Sequence, residues 1–384
     1  MKEALFQLIK FSLWEDREMK PYADMELYKE MKKQAIAALP ASHFASITMD
    51  KTLRERWKND IIQQIAFFTK YTYAEGRLPI TVPYVILKGS AAAQYYPHPE
   101  YRCMGDIDIM TRREDFMTAC EMMKESNWQD ITTKEDRESG RHIAFRKNDI
   151  IVEIHAFFAS MNDRKKAKML DDFIIYNIDS THYLPDLING LVLIDHINQH
   201  LEYGLGLRQI IDWMMFADKC LTEGQWESFQ PLVNEIGLEK LAITITRMCE
   251  MYLGLASHKW ASEADDKICA ELMDYIFSCG NFGNKIEKKD KLSISRAGRL
   301  RKPVDLIRQL QIEGSKKWIK AQNPILRPFS WIWQGVQYMR ETPEFINGLI
   351  RSMKQNKMFE ELKVKRREKG IVYYKDGKYY KKRR

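Results

Sequence analysis

Three features that would assign the chain to a special class are missing from its 384 residues. No run of roughly 18 or more apolar residues occurs, so no transmembrane helix is expected. Residues 1–19 mix lysine, aspartate and glutamate into the apolar residues, and a secretory signal would need an unbroken apolar stretch. The six cysteines show no paired spacing of the zinc or redox kind. We therefore expect a cytoplasmic protein with reduced cysteines.

The composition is that of an ordinary globular protein, with 45% hydrophobic and 30% charged residues. The length fits two domains, and no internal repeat is visible. The net charge of +8 is concentrated after residue 285, in the segments Lys288–Lys291, Arg296–Lys302, Lys316–Lys320 and Lys363–Arg384. Such a basic region indicates either an anionic partner, nucleic acid or a membrane surface, or a solvated face without a partner.

The pattern of apolar residues divides the chain into four parts. Residues 1–76 form an N-terminal helical segment with three-and-four apolar spacing, ended by Gly76. A domain with short β-rich runs occupies 77–160, and a mostly helical domain occupies 161–285. The remaining residues, 286–384, form a basic, amphipathic C-terminal extension in which tryptophans lie among lysines and arginines. A hairpin around Asp376-Gly377 is a further expectation.

Residues 77–160 alternate between strand and helix patterns. In chain order, the elements are the strand Tyr84–Leu87, the helix Ala91–Tyr96, the strand Asp106–Met110, the helix Glu114–Ser126, and the strands His142–Arg146 and Ile150–His155. The last two strands are joined by Lys147-Asn148-Asp149, a good tight-turn sequence. The expected fold class is therefore α+β, with a small mixed sheet and helices, plus a mostly helical second domain.

Asp106 and Asp108 alternate with Ile107 and Ile109. In a strand, alternate side chains share a face, so both carboxylates project together while the isoleucines enter the core. Carboxylates about 6.6 Å apart along a strand suit the joint binding of divalent ions in phosphoryl-transfer sites. Hard oxygen ligands favour Mg²⁺ or Mn²⁺ over zinc. Read alone, an Asp-x-Asp tripeptide is equally typical of a strand edge facing solvent.

Glu153 shares a strand face with His155 in a segment that is otherwise apolar. An acid there requires solvent or a charged partner. If this strand lies beside Asp106–Met110, Glu153 completes a cluster of three carboxylates, which repel one another unless cations hold them. The alternative is a salt-bridged edge residue.

Gly89 and Ser90 form a turn between a strand and a helix. Glycine lets the backbone approach a ligand, and the N–H groups of the following helix terminus attract phosphates. Lys88 directly precedes the turn and is a candidate to touch a triphosphate, although strand alternation points it away. A simple turn without a ligand is the plain alternative.

Taken in order, these features resemble the DNA-polymerase-β-like nucleotidyltransferase superfamily. More narrowly, the blocks Tyr84–Ala91, Met104–Ile109, Glu153–His155 and Gly204–Asp212 are similar to the bacterial family of uncharacterised nucleotidyltransferases. The likeness covers roughly residues 30–250. One departure from the commonest superfamily pattern is the long, proline-containing segment between Ser90 and Asp106.

The resemblance implies roles for individual residues. Asp106 and Asp108 would bind metal ions, Glu153 would be the third acid, and Gly89 and Ser90 would hold nucleotide phosphates. His155 is a candidate for contact with substrate because it shares a strand face with Glu153. Arg208 is a second candidate, which the family likeness suggests. The plain reading of Arg208 is an ion pair with Asp212, one helical turn away.

Two further sets of residues have both a functional and a structural reading. Arg102 and Arg112 flank the Asp-x-Asp strand, where a guanidinium near phosphates would neutralise developing charge, but a surface salt bridge is the simpler use. His196 and His200 have the four-residue spacing of metal ligands on a helix, without an acid to complete a zinc pattern.

The sequence thus predicts a metal-dependent nucleotidyltransferase with Mg²⁺ or Mn²⁺ as cofactor. It would transfer a nucleoside monophosphate from an NTP such as ATP to a small-molecule, sugar or protein acceptor and release pyrophosphate. Nucleic acid is the less favoured acceptor, because no dense basic groove accompanies the catalytic block. Two alternatives stay open: a catalytically silent nucleotide-binding or regulatory protein, and a peripheral membrane protein that binds through its basic C-terminal region.

Overall fold

A computed structural model describes residues 1–14, 21–161, 163–179, 181–201 and 204–281, followed by parts of 311–362 and the segments 372–375 and 378–381. The chain divides into two compact units, one formed by Met1–Asn284 with Lys363–Arg384 and the other by Lys285–Leu362. The first unit contains the sheet and all the residues of the candidate site. The finer boundaries expected within residues 1–285 stay a prediction.

The N-terminal part of the first unit is helical, as the apolar spacing predicts. Its helices are α1 (Lys2–Trp14), α2 (Met25–Lys33), α3 (Phe44–Ile47) and α4 (Lys51–Glu75). The Asp24 carboxylate caps α2 by accepting from the Leu27 N–H, and Asp50 caps α4 in the same way. Helix α4 ends directly before Gly76, where the sequence places its end.

A five-stranded mixed sheet follows α4. Its strands are β1 (Tyr84–Leu87), β2 (Ile107–Thr111), β3 (Gln129–Asp130), β4 (His142–Lys147) and β5 (Ile150–His155). The spatial order is β1-β2-β5-β4-β3, and only the pair β2–β5 is parallel. The short strand β3 at the edge is not expected from the sequence. The α+β fold class and the mixed sheet are confirmed.

Alternation divides the side chains of the sheet between two faces. The buried apolar core on one face includes Ile86, Ile107, Ile109, Val152 and Ile154, together with helix α6 (Phe116–Glu125). The carboxylates of β2 and β5 therefore lie on the other face, as the alternation predicts.

Two short helices complete this part of the chain. Helix α5 (Gly89–Ala93) begins directly at the Gly-Ser turn and is shorter than expected, and α7 (Lys134–Ser139) precedes β4. Strands β4 and β5 are joined by Asn148 and Asp149, which both have positive φ (48° and 61°). This two-residue turn fixes the register of the hairpin and confirms the predicted turn.

The helical region after the sheet is also confirmed. It contains α8 (Arg164–Tyr176), α9 (Asp186–His200), α10 (Leu207–Cys220), α11 (Glu223–Glu235), α12 (Glu239–Leu253) and α13 (Asp266–Cys279). Helices α9 and α10 carry long buried faces, and Trp213 of α10 is fully buried. None of the helices in the described ranges combines the length and apolarity needed to cross a bilayer.

In the C-terminal extension the structure describes helix α14 (Ser330–Glu341) and a hairpin of β6 (Val372–Lys375) and β7 (Lys378–Lys381). The pairing of β6 with β7 confirms the hairpin expected around Asp376-Gly377. The basic segments Lys288–Lys291 and Arg296–Lys302 lie outside the described residues.

Candidate active site

Asp108 and Glu153 are register partners across the parallel strands β2 and β5. Because partners on adjacent strands project to the same face, the two carboxylates meet above the sheet. Asp106 directly precedes the first residue of β2 and is partly exposed, whereas Asp108 is buried. The negative charges of Asp108 and Asp106 both act on Glu153. The structure thus brings together the three acids that the sequence singles out.

His155 joins this cluster through its side-chain nitrogen. Its Nε2 lies 2.8 Å from Asp108 Oδ1 and 3.6 Å from Glu153 Oε2. Among the described residues, one ligand atom each from Asp108, Glu153 and His155 lie within 4.8 Å of one another, a spacing suited to a metal ion. The predicted trio of metal ligands had Asp106 in place of His155.

Lys88 reaches the same carboxylate from the end of β1. Its Nζ lies 2.8 Å from Asp108 Oδ1 and over the face of the Phe158 ring, 5.8 Å from the ring centroid. The Lys88 backbone has φ 55° and ψ −133°, a conformation that residues other than glycine rarely adopt. This break in the strand turns the ammonium group toward Asp108, against the direction that alternation gives it.

The charges and the burial of the cluster determine which of its side chains are ionised. Burial opposes ionisation of Asp108, but the charge of Lys88 and the hydrogen bond from His155 hold the pKa of this carboxyl well below its usual range. Burial lowers the pKa of His155 to about 3. Asp108 is therefore an anion, and His155 is a neutral imidazole that donates its Nε2–H to it.

Glu153 has the opposite tendency. Burial, followed by repulsion from Asp108 and Asp106, raises its pKa to about 8. Repulsion from Asp108 is likewise the main reason that the pKa of Asp106 is raised. Carboxylates that raise one another's pKa create a place where a divalent cation is favoured. The carboxylate oxygens of this cluster are compatible with the binding of a divalent metal ion.

The turn after β1 holds its glycine and serine in different settings. Gly89 has φ +38°, and a Cβ atom built at this position would lie 3.9 Å from the carbonyl oxygen of Asp106, so the turn passes beside the segment that begins the acidic cluster. Ser90 is buried, and its hydroxyl interacts with the carboxyl group of Glu75 at the end of α4. The Tyr183 hydroxyl lies 3.5 Å from the Ser90 hydroxyl oxygen. The hydroxyl of Ser90 is thus held from the side of α4.

The segment before β2 is fixed to the helical region by buried charges. Arg102 Nε and Nη2 each donate to Asp212 of α10 over 2.7 Å, and the Tyr96 hydroxyl donates to the same carboxylate. Arg208 donates from Nη1 to the Cys103 carbonyl, 3.1 Å away, and its charge partly offsets the rise in the pKa of Asp106. Arg102 therefore forms a buried ion pair with Asp212 and not a surface salt bridge. Arg208 lies beside the acidic cluster.

Helix α4 supports the segment from the other side. The Tyr71 hydroxyl donates to the carbonyl of Gly105, directly before Asp106, over 3.2 Å. Gln64 donates to the Tyr101 carbonyl over 2.7 Å. The N-terminal helical segment thereby holds the loop that leads into β2.

Sequence reasoning missed His142 as a member of the site. It is the register partner of His155, and its Nε2 lies 3.7 Å from Glu153 Oε2. Counting back from the turn at Asn148-Asp149 would have found this pair, because a two-residue turn sets the whole hairpin register.

The other side chains considered from the sequence have structural contacts. The rings of His196 and His200 on α9 pack edge to face, 4.8 Å apart, and burial lowers the pKa of both. Arg112 donates to the Ile178 carbonyl over 3.2 Å. His200 nevertheless lies within the field of Lys88, Arg208 and Asp108, which places it at the border of the site.

A mixed sheet with an acid pair on adjacent parallel strands, preceded by a Gly-Ser turn, is the arrangement expected of a nucleotidyltransferase. The comparison with known families agrees, since the sequence model of the family described as "Uncharacterised nucleotidyltransferase" matches residues 26–254, more than half of the chain. The chain belongs to this family, and it is a nucleotidyltransferase enzyme with a nucleotide substrate. No curated protein and no solved structure matches it significantly.

Proposed function

We propose that the chain is a metal-dependent enzyme that transfers a nucleoside monophosphate from an NTP to an acceptor and releases pyrophosphate. The observation that carries the proposal is the register pairing of Asp108 with Glu153, beside Asp106 and Lys88. Mutual repulsion of these acids and their hard oxygen atoms favour Mg²⁺ or Mn²⁺ as the cofactor, held by Asp106, Asp108 and Glu153. When bound, such an ion supplies positive charge to the transferring phosphoryl group.

The residues of the site divide the reaction between them. An acceptor oxygen attacks the α-phosphorus, the bond from this phosphorus to the bridging oxygen breaks, and pyrophosphate leaves. Glu153 lies beside Asp108 on the neighbouring strand, where its carboxylate is placed to take the proton of the acceptor. Gly89 and Ser90 place the start of α5 beside the phosphates, and Lys88 adds positive charge.

His155 and Arg208 have supporting roles in this proposal. His155 holds Asp108 in place through the 2.8 Å hydrogen bond. Arg208 extends from α10 to the loop before Asp106, where a guanidinium group binds phosphate oxygens well. In this way the helical region contributes a cation to a site that is otherwise built on the sheet.

The acceptor we favour is a small molecule, a sugar or a protein side chain. The cations around the acids, Lys88 and Arg208, are largely enclosed, with 16% and 8% exposure respectively. A long nucleic acid needs an open basic groove along its backbone. Tight, salt-sensitive binding of RNA or DNA oligomers to the purified chain would contradict this choice of acceptor.

The test is incubation of the purified chain with each α-labelled NTP in cell extract, followed by tracking of the label. The wild type is expected to move label to an acceptor, and Asp108→Asn to lose at least about 10³-fold of the rate, because metal ligation contributes several kcal/mol. Glu121→Gln, an exposed carboxylate on α6, is the matched control and should keep the wild-type rate. No labelled product with any NTP would favour the catalytically silent alternative.

A further inference from the structure

The carboxylate of Asp108 already has a cation and a hydrogen-bond donor on one of its two oxygens. Lys88 Nζ and His155 Nε2 both lie 2.8 Å from Oδ1. A carboxylate that bridges two metal ions in a phosphoryl-transfer site offers one oxygen to each ion. With Oδ1 engaged twice, Asp108 has its other oxygen, Oδ2, to offer to a divalent ion.

Lys88 is held in this position by an unusual backbone. Leu87 is the register partner of Asp108, so a regular continuation of β1 would turn Lys88 to the opposite face, into the apolar core that contains Ile86. The positive φ of 55° reverses this direction. A non-glycine residue in such a conformation persists where its surroundings hold it, and such strain concentrates at functional sites.

The surroundings of the ammonium group are built to keep it there. Asp108 is 1% exposed, and the side chain of Lys88 is 16% exposed. Phe158 lies beneath the ammonium group, and its loop is fixed because the Phe158 N–H donates to the buried Asp171 over 2.8 Å. An ammonium tethered to the chain does not have to be recruited from solution, so it competes well with a second ion at Oδ1.

We propose that Lys88 takes the place of one of the two metal ions, so that this site would hold a single divalent ion through Asp106, Asp108 and Glu153. The inference rests on the proposed function and adds to it the number of ions and the source of the second positive charge. In the reaction, the Lys88 ammonium group is a fixed cation that faces the phosphate chain. His155 keeps Asp108 Oδ1 oriented toward this ammonium group.

The test counts Mn²⁺ ions bound to the full chain by electron paramagnetic resonance, with the metal alone as the probe. The wild type should bind one ion, and Lys88→Met should bind two, with the second at least about tenfold tighter than any second binding to the wild type. Lys124→Met, an exposed lysine on α6, is the matched control and should keep one ion. Lys88→Gly removes the cation and also relieves the backbone strain, so it should bind two ions and be the more stable of the two Lys88 variants.

The outcomes separate this inference from the proposed function. Two ions in the wild type, or one ion in both the wild type and a folded Lys88→Gly variant, overturn the replacement by Lys88 and leave the metal-dependent reaction standing. No bound ion in the wild type overturns both. One ion in the wild type, a second in both Lys88 variants, and loss of the single ion in Asp108→Asn support it.

Discussion

Arg102 and Asp212 form a two-pronged ion pair in the interior of the protein, with both N–O distances at 2.7 Å. The side chains are 3% and 2% exposed, and their positions in the sequence are 110 residues apart. The pair joins the loop before Asp106 to helix α10. It therefore connects the part of the chain that carries the acids to the part that carries Arg208.

Removal of one partner of this pair should strongly destabilise the fold. Asp212→Asn leaves the Arg102 guanidinium buried without a counter-charge, and we expect a loss of roughly 3–5 kcal/mol in the free energy of unfolding. Urea denaturation at neutral pH measures it. The comparison is Asp266→Asn, which breaks the similar but exposed pair with Arg247 and should cost about 1 kcal/mol or less. Equal losses in both variants would contradict the role of burial.

Glu75 should make stability depend on pH. Burial raises its pKa from 4.5 to about 7, although the Ser90 hydroxyl and the charge of Arg102 act in the opposite direction. The folded chain therefore binds a proton that the unfolded chain releases between these values. The stability contributed by the protonated group is full below about pH 4.5 and is lost as the pH rises through 7, by roughly 3 kcal/mol at most.

The variant Glu75→Gln keeps the shape of the side chain and cannot ionise. Its stability relative to the wild type should increase from pH 5 to pH 8 in urea denaturation series, because the wild type alone loses stability in this range. Glu121→Gln, on the exposed surface of α6, should show a constant difference. A difference between Glu75→Gln and wild type that does not change with pH would count against a raised pKa of Glu75.

Gly190 should not tolerate alanine, although it lies inside helix α9. A Cβ atom at this position would lie 2.3 Å from Phe216 Cζ and 3.0 Å from Phe229 Cε2, and both rings are fully buried. We expect Gly190→Ala to destabilise by about 1–3 kcal/mol, despite the higher helix propensity of alanine. Gly224→Ala in α11, where a Cβ meets no atom within 4 Å, should be neutral or stabilising by up to about 1 kcal/mol. Thermal unfolding of the two variants checks the prediction.

Arg208 should affect the handling of the nucleotide more than the fold. Arg208→Met removes the guanidinium next to the loop before Asp106, and we expect kcat/KM for the NTP to fall by about 10–100-fold once an acceptor is known. Arg112→Met, which loses a hydrogen bond to the Ile178 carbonyl, is the control and should change kcat/KM less than about threefold. Similar losses in the two variants would show that Arg208 has no special part in catalysis.

Local patterns in the sequence were enough for much of this site. The alternation around Asp108 and Glu153 predicted which side chains share a face, and the turn at Asn148-Asp149 predicted the hairpin that carries Glu153. These features depend on neighbours in the chain, whose geometry follows from the pleat of a strand and the conformations of a two-residue turn. The order of helices after the sheet could be predicted for the same reason.

The amino-acid sequence by itself determined the order of strands and helices, the acids and the Gly-Ser turn, since each is encoded by residues a few positions apart. The tertiary structure decided which atoms meet. The parallel pairing of β2 with β5 aligned Asp108 with Glu153, and no turn between these strands could have fixed that register. The tertiary structure also directs the Lys88 side chain toward Asp108 and pairs Arg102 with Asp212. Backbone strain and burial are properties of the packed chain and not of any short segment.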